Sequence, residues 1–171
     1  MDQFSLRIAT LQDAKEIWQV MDTCHKHLTN KSHFICDNQF YVTDVLTNSG
    51  FGVVACDLEG KIIGSLLIKY PGMEEENLGY DLSFDFNQLS KVAHMDSCCV
   101  LPNARGNHLE TKMLAYAENH LITASKYSFL MATVAPDNIP SMKSLTALGY
   151  QVMATKEKYE GYLRNIMLKK I

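Results

Sequence analysis

The sequence predicts a mixed α+β fold, and two features of its apolar pattern indicate it. Two β-rich runs, 51–56 and 61–70, flank a polar turn and predict a β-hairpin. An amphipathic helical pattern at 109–121 stands between two buried, strand-like runs, which predicts a β-α-β crossover. No internal repeat, low-complexity tract or linker divides the chain, so residues 1–171 are expected to form one domain.

The first half of the chain predicts strands and helices in turn. Phe4–Ile8 alternates apolar and polar residues and predicts a strand with one buried face. Thr10 and Asp13 resemble a capping box, so a helix is expected to follow, with apolar residues at helical spacing as far as Leu28. The predicted elements are a strand at 4–8, helices at about 14–28 and 38–46, and strands at 51–56 and 61–70.

The second half begins with the least regular segment of the chain, 73–91, which starts with the acidic run Glu74-Glu75-Glu76. Long irregular segments in compact domains often carry function. Further along, Gly149 is the natural end of a short helix. The predicted elements are strands at 93–100, 129–134, 150–155 and 162–169, and helices at about 108–121 and 141–148.

Composition and charge argue against several classes of function. With 47% hydrophobic and 20% charged residues, the chain is typical of a soluble globular protein, and no apolar run reaches the length of a membrane span. A net charge of −3 argues against a broad, positively charged surface that binds nucleic acid. No secretory leader is visible, and the five cysteines lack zinc-ligand spacing. We therefore expect a cytoplasmic protein with reduced thiols and no metal.

The most informative stretch is 98–109, where a buried strand stops at Pro102 and turns directly into a helix, with Arg105 and Gly106 in the turn. Such a turn exposes unpaired backbone N–H groups, and the helix dipole favours an anion beside them. A guanidinium adds a fixed positive charge suited to phosphate. Taken alone, the stretch fits a phosphate-binding turn and equally an ordinary junction that carries Gly and Arg for packing and solvation.

Two motifs together point to a family. The run Val100-x-Pro102-x-x-Arg105-Gly106-Asn107 closely resembles the acetyl-CoA-binding signature of the GCN5-related N-acetyltransferases (GNAT). The segment 134–141, followed by Leu148-Gly149-Tyr150, resembles that family's next motif, in the same order and at the usual separation. The resemblance implies the GNAT acyl-CoA N-acyltransferase fold: a mixed, mostly antiparallel sheet flanked by helices, in which one parallel strand pair splays apart.

The resemblance also implies where acetyl-CoA binds, because in the family this turn holds the pyrophosphate of coenzyme A. His108 stands where the family usually has Gly or Ala, and its ring would crowd the phosphates, donate to them as a cation, or face solvent. Asn138 would either bond the pantetheine arm or cap the following helix. The implied cofactor-binding residues are Cys99, Val100, Arg105, Gly106, Asn107, His108, Leu109 and Asn138.

The strand that ends at Val100 carries the candidates for proton transfer. Many family members place a Glu early in this strand as general base, and His94 falls near that position. Strand alternation predicts that His94 shares a face with Asp96, Cys98 and Val100. An imidazole suits proton acceptance near neutrality, and Asp96 would orient it or replace it. We predict His94 and Asp96 as the catalytic residues, the alternative being polar residues satisfied at a frayed strand start.

The general acid of many relatives is a Tyr four residues before the Gly of a Gly-aromatic pair. This sequence has Leu145 at that position, and Tyr150, the aromatic member of the pair, is expected to pack in the core. The leaving thiolate would then take its proton from water or another group, or the chain would have lost activity.

The implied function is acetyl-CoA-dependent transfer of an acetyl group directly to a primary amine of a small molecule or peptide. The alternative is a non-catalytic acyl-CoA-binding or regulatory domain. The run Glu74-Glu75-Glu76 would attract a cationic acceptor or form a solvated loop face. The expected partners are a coenzyme A thioester and an amine acceptor, without nucleic acid or membrane, and a homodimer is compatible with the sequence.

Overall fold

A computed structural model describes residues 4–171, so residues 1–3 of the predicted domain lie outside the described part. The strands are β1 (Phe4–Ile8), β2 (Gly50–Asp57), β3 (Ile62–Lys69), β4 (Val92–Val100), β5 (Phe129–Val134), β6 (Gln151–Lys158) and β7 (Tyr162–Lys170). The α-helices are α1 (Ala14–Lys26), α2 (Gln39–Asp44), α3 (Phe86–Leu89), α4 (Leu109–Ala124) and α5 (Ile139–Ala147).

The strands form one sheet in the order β1-β2-β3-β4-β5-β7-β6. Strands β4 and β5 run parallel and are connected by α4, whereas the other neighbouring strands are antiparallel. This arrangement confirms the predicted mixed, mostly antiparallel sheet and its β-α-β crossover.

Apolar residues cover both faces of the sheet. Met113, Ala117 and Leu121 of α4 pack on one face, and Ile17 and Met21 of α1 pack on the other. All five side chains are fully buried. The helical spacing of apolar residues in the sequence therefore marks the buried stripe of each helix, and the sheet lies between two helical layers.

The register between β3 and β4 shifts by one residue in the middle of β4. The pairs that flank the shift are Leu66 with Cys98 and Ile68 with Met95. Asp96 and Ser97 therefore lie opposite the single residue Leu67, which is the geometry of a β-bulge. The bulge leaves Asp96 exposed in a strand whose other residues are buried or half-buried.

The bulge corrects the prediction that four residues of β4 share one face. Cys98 and Val100 pack with Met95 on the α4 face of the sheet. His94 and Asp96 lie on the opposite face, where they contact the segment before β4 and helix α2. One extra residue reverses the alternation of side chains beyond it, so the period of two holds only on each side of the bulge.

Strands β4 and β5 pair only near their beginnings. Their parallel register runs from Val92–Phe129 to His94–Met131 and ends there. Beyond His94 the two strands separate, as the resemblance implies, and a cleft opens between them.

The segment between β3 and β4 contains a 3₁₀ turn at Leu78–Leu82 and the short helix α3, so it is more regular than predicted. Asn77 is only 1% exposed, and its Nδ2 donates to two carbonyl oxygens at 2.7 and 3.2 Å. Asp81 accepts a hydrogen bond from Lys158 of β6 at 2.7 Å and lies 3.6 Å from the Lys156 ammonium. The Asn77 bonds hold the segment together internally, and the Asp81 contacts fix it against the β6 strand.

Two of the helix boundaries that differ from the predictions have a clear local cause. Helix α5 begins at Ile139, earlier than predicted, because Asn138 caps it and Pro140 sits in the first turn, where its missing N–H costs nothing. Helix α4 continues to Ala124, past the predicted end, and stops where Ser125 adopts a left-handed conformation.

We expect Asp13→Asn to lower the free energy of unfolding by about 1–2 kcal/mol, the scale of a charge-assisted hydrogen bond that is partly exposed. Arg7 donates to both Asp13 carboxylate oxygens at 2.7 and 2.9 Å, and this lowers the Asp13 pKa to about 2. The stabilisation is fully present above the ordinary Asp pKa of about 3.9 and is lost as pH falls through about 2. Urea unfolding at several pH values measures it.

The matched control is Asp22→Asn, which breaks an exposed pair with Lys26 on α1. Exposed pairs of this kind contribute little, so its effect should be smaller. Equal losses for the two variants would contradict a special role for Asp13.

Candidate functional site

Polar side chains converge on a small pocket where β4 and β5 separate. They come from the segment before β4, from β4 and β5, and from the turn between β6 and β7. The lining residues are Leu78, His94, Met95, Asp96, Ala132, Thr133 and Tyr159. Several titratable groups meet here from distant parts of the chain, which makes the pocket the candidate functional site.

Asp96 stands at the bulge on the edge of this pocket. Its Oδ2 accepts hydrogen bonds from the Tyr41 hydroxyl at 2.7 Å and from Ser97 Oγ at 3.1 Å. Although Asp96 is exposed as a residue, protein atoms surround its carboxylate, and this desolvation raises the pKa of Asp96 above its ordinary value, while the two hydrogen bonds and the charge of Lys69 lower it. A carboxylate with a raised pKa is the better proton acceptor.

His94 lies deeper in the cleft and is 7% exposed. Its Nε2 accepts a hydrogen bond from the Leu78 amide at 3.1 Å, so this bond assigns the proton of the neutral ring to Nδ1. Burial, with the positive charges of Lys69 and Lys158, lowers the His94 pKa to about 3. Near neutral pH the ring is uncharged and links the segment before β4 to the floor of the cleft.

A second carboxylate, Asp37 in the loop before α2, lies close enough to Asp96 to interact with it electrostatically. Desolvation and the charge of Asp96 raise the Asp37 pKa, and Lys69 lowers it. Lys69 pairs with Glu74 at 2.6 Å, so the first glutamate of the predicted acidic run offsets this lysine. The other two glutamates of the run are exposed. The acidic character of the cleft therefore comes chiefly from the two aspartates.

Tyr159 reaches the pocket from the turn between β6 and β7. Its hydroxyl lies 3.0 Å from Thr133 Oγ1 on β5, and the Arg164 guanidinium lies 5.6 Å from its ring centre. Arg164 is only 3% exposed, lies equally close to the Tyr162 ring, and donates to the carbonyl oxygen of Ser32 in the loop after α1. The turn that carries Tyr159 is therefore anchored to two other parts of the fold.

Sequence reasoning missed Asp37, Tyr41 and Tyr159. They lie in a loop, a short helix and a turn that carry no motif, and only the fold brings them near Asp96. No motif in the sequence marks the turn, but in the structure the non-glycine residues Tyr159 and Glu160 have positive φ angles of 50° and 64°. Backbone conformations of this kind often occur at functional sites, but they are visible only in the structure.

The turn after β4 has the features of an anion site. Arg105, Gly106 and His108 are exposed, and Gly106 and His108 have φ angles of 84° and 55°. Glycine adopts such angles without steric cost, whereas the His108 side chain adds strain. Within residues 4–171, no side chain caps the first amides of α4, so these N–H groups remain available to an anion.

The side chains of the other cofactor-binding residues that the resemblance implies pack in the fold or shape the turn. The Cys99 side chain is buried against the α1 core, so only its backbone could meet a ligand. Val100 is half-buried on the α4 face, and Leu109 is buried and anchors α4. Asn107 donates to the Ala104 carbonyl oxygen at 3.0 Å and shapes the turn.

Three predictions about the second motif have structural answers. The Asn138 Oδ1 faces the Ser141 amide at 3.5 Å, which is the capping geometry of one of the two alternatives. Leu145 is buried in the core beneath α4 and offers no proton donor. Tyr150 is 2% exposed and packs in the same core, which confirms its predicted place.

Among residues 4–171, no helix has the length and apolar content that crossing a bilayer requires. The same part of the chain brings no three His, Cys, Asp or Glu side chains together in an arrangement that could hold a metal ion.

We expect the His94 ring to stay neutral and protonated on Nδ1 throughout the neutral and mildly acidic range, because its pKa is about 3. Two-dimensional ¹H–¹⁵N NMR of the ring nitrogens measures this, with His94→Gln used to assign the signals. A titration near the ordinary histidine value of about 6.5 would contradict the buried, accepting geometry. The contribution of His94 to the free energy of unfolding is complete above about pH 6.5. It is lost as pH falls toward 3, because the imidazole binds a proton in the unfolded state but not in the folded state.

Solved structures of other proteins have the same architecture. Three solved structures share the fold: the ribosomal-protein-S18-alanine N-acetyltransferase of Escherichia coli (12% identity, 98% of this chain and 94% of that chain, TM-score 0.72), NAA60 of Arabidopsis thaliana in complex with acetyl-CoA (10%, 98% and 99%, 0.75), and the aminoglycoside acetyltransferase AAC(6′)-Ib in complex with coenzyme A and kanamycin (15%, 98% and 94%, 0.72). At these identities the likeness is one of fold.

Sequence comparison gives the family. A search of curated protein sequences returned no match. The sequence model of the acetyltransferase (GNAT) family matches residues 14–150, which include the bulge, the turn after β4 and the Gly149-Tyr150 pair. Because this match covers most of the chain, the protein belongs to the acetyltransferase (GNAT) family and is an acyltransferase.

Proposed function

We propose that this protein transfers an acetyl group from acetyl-CoA directly to a primary amine of a small molecule or peptide. The observation that carries the proposal is the cleft between β4 and β5, with the Asp96 carboxylate beside it and the exposed Arg105 turn at the end of β4. The family match and the relatives bound to acetyl-CoA or coenzyme A support the donor.

The turn after β4 fits the phosphates of coenzyme A. Arg105 would supply a guanidinium, and the backbone from Gly106 to Leu109 would supply N–H donors at the start of α4. The pantetheine arm would follow the edge of β4 beyond His94, where the backbone no longer pairs with β5. Asn138 would donate to that arm through Nδ2, since its Oδ1 faces the helix start.

The acceptor side of the cleft fits a cationic amine. Asp96 and Asp37 would attract the ammonium group, and Asp96 would take its proton. The free amine then attacks the thioester carbonyl carbon, so that the C–N bond forms as the C–S bond breaks. Holding the two reactants together supplies much of such a rate.

We assign proton acceptance to Asp96 rather than to His94, although the sequence places both in the site. Protonating His94 on Nε2 would cost its hydrogen bond from Leu78, and a pKa of about 3 makes it a weak base. His94 is instead a positioning residue that holds the segment before β4 over the cleft.

Release of free thiol from acetyl-CoA, with mass detection of the product, tests the proposal on spermidine, L-lysine, kanamycin and a short peptide with a free N-terminus. Asp96→Asn should lower kcat by about 100-fold or more, the usual scale of general-base catalysis. The loss should shrink at high pH, where the free amine is already populated. Asp22→Asn, which changes a half-buried carboxylate on α1 that pairs with Lys26, is the control.

Thiol release equal to the buffer rate with every amine, and no acetylated product, would overturn the proposed function. An Asp96→Asn variant with the kcat and pH profile of the parent protein would remove Asp96 from the reaction while leaving the function intact.

Replacing Arg105 by Ala should weaken acetyl-CoA binding by about 1–3 kcal/mol, the scale of a hydrogen bond between charged groups. Arg105 is exposed, so added salt should reduce the difference between variant and parent. Titration calorimetry measures the affinity, and Lys15→Ala, an exposed charge on α1, is the control. An unchanged affinity in the Arg105 variant would place the phosphates elsewhere.

A further inference from the structure

We propose that Tyr159 is the general acid that protonates the departing coenzyme A thiolate, an inference that rests on the proposed acetyl transfer. Attack of an amine on a thioester expels a thiolate, and a positioned proton donor speeds such a step. Tyr159 lines the pocket at the opening of the sheet together with Asp96, so donor and acceptor of protons would meet the reaction from one cleft.

The hydrogen bonds around the pocket distinguish Tyr159 from the other nearby phenol. The Tyr41 hydroxyl donates to the Asp96 carboxylate at 2.7 Å, so its proton is already committed. The partner of Tyr159 is the Thr133 hydroxyl at 3.0 Å, which can itself donate. When Thr133 donates to the Tyr159 oxygen, the phenol hydrogen is left to point into the pocket.

The same surroundings prepare Tyr159 both to hold its proton and to release it. A phenol is protonated near neutral pH even at its ordinary pKa, and desolvation raises the pKa of Tyr159 further, so the hydroxyl carries its proton when the thiolate forms. The Thr133 hydroxyl and the Arg164 guanidinium act in the other direction, because both stabilise the phenolate that forms after transfer. The remaining charged groups that face Tyr159 are Asp96 and Asp37, and Tyr41 is the other titratable neighbour.

The proton balance of the step is closed. The amine nitrogen bonds to the carbonyl carbon, the C–S electron pair goes to sulfur, and sulfur takes the proton of the Tyr159 hydroxyl. The phenolate then recovers a proton through solvent, and Asp96 returns to solvent the proton that it took from the ammonium group. The products are the acetylated amine and free coenzyme A.

The test compares the parent protein with Tyr159→Phe, which removes the hydroxyl and keeps the ring over Arg164. Tyr162→Phe is the matched control, because Tyr162 lies on the same hairpin and its ring is also 5.6 Å from Arg164. We expect Tyr159→Phe to lower kcat by about 100-fold, the scale of general-acid catalysis, with the KM for acetyl-CoA little changed. Tyr162→Phe should behave as the parent does, and thermal unfolding should show all three proteins folded.

A second acyl donor separates acid catalysis from a structural effect. With hydroxylamine as a small nucleophile, the proteins are assayed on acetyl-CoA and on S-acetyl-4-nitrothiophenol, whose resonance-stabilised thiolate leaves without a proton. If Tyr159 is the acid, the loss caused by Tyr159→Phe should be large on acetyl-CoA and nearly absent on the aromatic thioester.

The outcomes are distinct. A parent protein that accelerates no acetyl transfer from acetyl-CoA overturns the proposed function itself. A parent that transfers acetyl, with a Tyr159→Phe variant that matches it, overturns the role of Tyr159 alone. An equal loss on both donors also overturns that role, because it shows that the hydroxyl holds the site together rather than supplying a proton.

Discussion

One extra residue in β4 is the constraint on which the candidate site depends. Because Asp96 and Ser97 lie opposite Leu67 alone, the strand bends and its side chains change faces. Asp96 is pushed out of the ladder toward α2, and Cys98 returns to the α4 core. The pairing of β4 with β5 ends just before this point. The bulge and the end of the β4–β5 pairing are therefore neighbours along the strand, and Asp96 lies exposed between them beside the cleft.

Electrostatics give the middle of β4 and the turn at its end opposite characters. At the bulge, Asp96 and Asp37 interact with each other while Lys69 is paired with Glu74, so this region carries negative charge. At the end of the strand, Arg105 and the uncapped start of α4 present positive charge and N–H donors. A ligand with a cationic part and an anionic part would find complementary surroundings along a single strand. The overall charge of −3 conceals this local separation.

The sequence predicted the helices, the strands and the Arg105-Gly106 turn because the causes of these features are local. The alternation in Phe4–Ile8, the capping pair at Thr10 and Asp13, and the Arg105-Gly106 turn are each written within a few residues. The bulge was missed because nothing in an apolar–polar pattern separates it from regular strand. Tyr159 was missed for a different reason. It lies next to Thr133 only because β5 pairs with β7, and these two strands are far apart in the sequence. The environment of His94 could not be predicted either, because the sequence does not show that the Leu78 amide donates a hydrogen bond to its Nε2.

The link between Asp81 and the lysines of β6 has a consequence for the exchange of segments between related proteins. Lys156 and Lys158 tie the segment before β4 to the hairpin that carries Tyr159, so these two parts of the fold form one mechanical unit. Grafting either piece alone onto a related scaffold would leave a half-buried charge without its counterpart. The two pieces are separated in sequence by the whole of β4, α4, β5 and α5, so recombination within that interval would separate what the fold holds together.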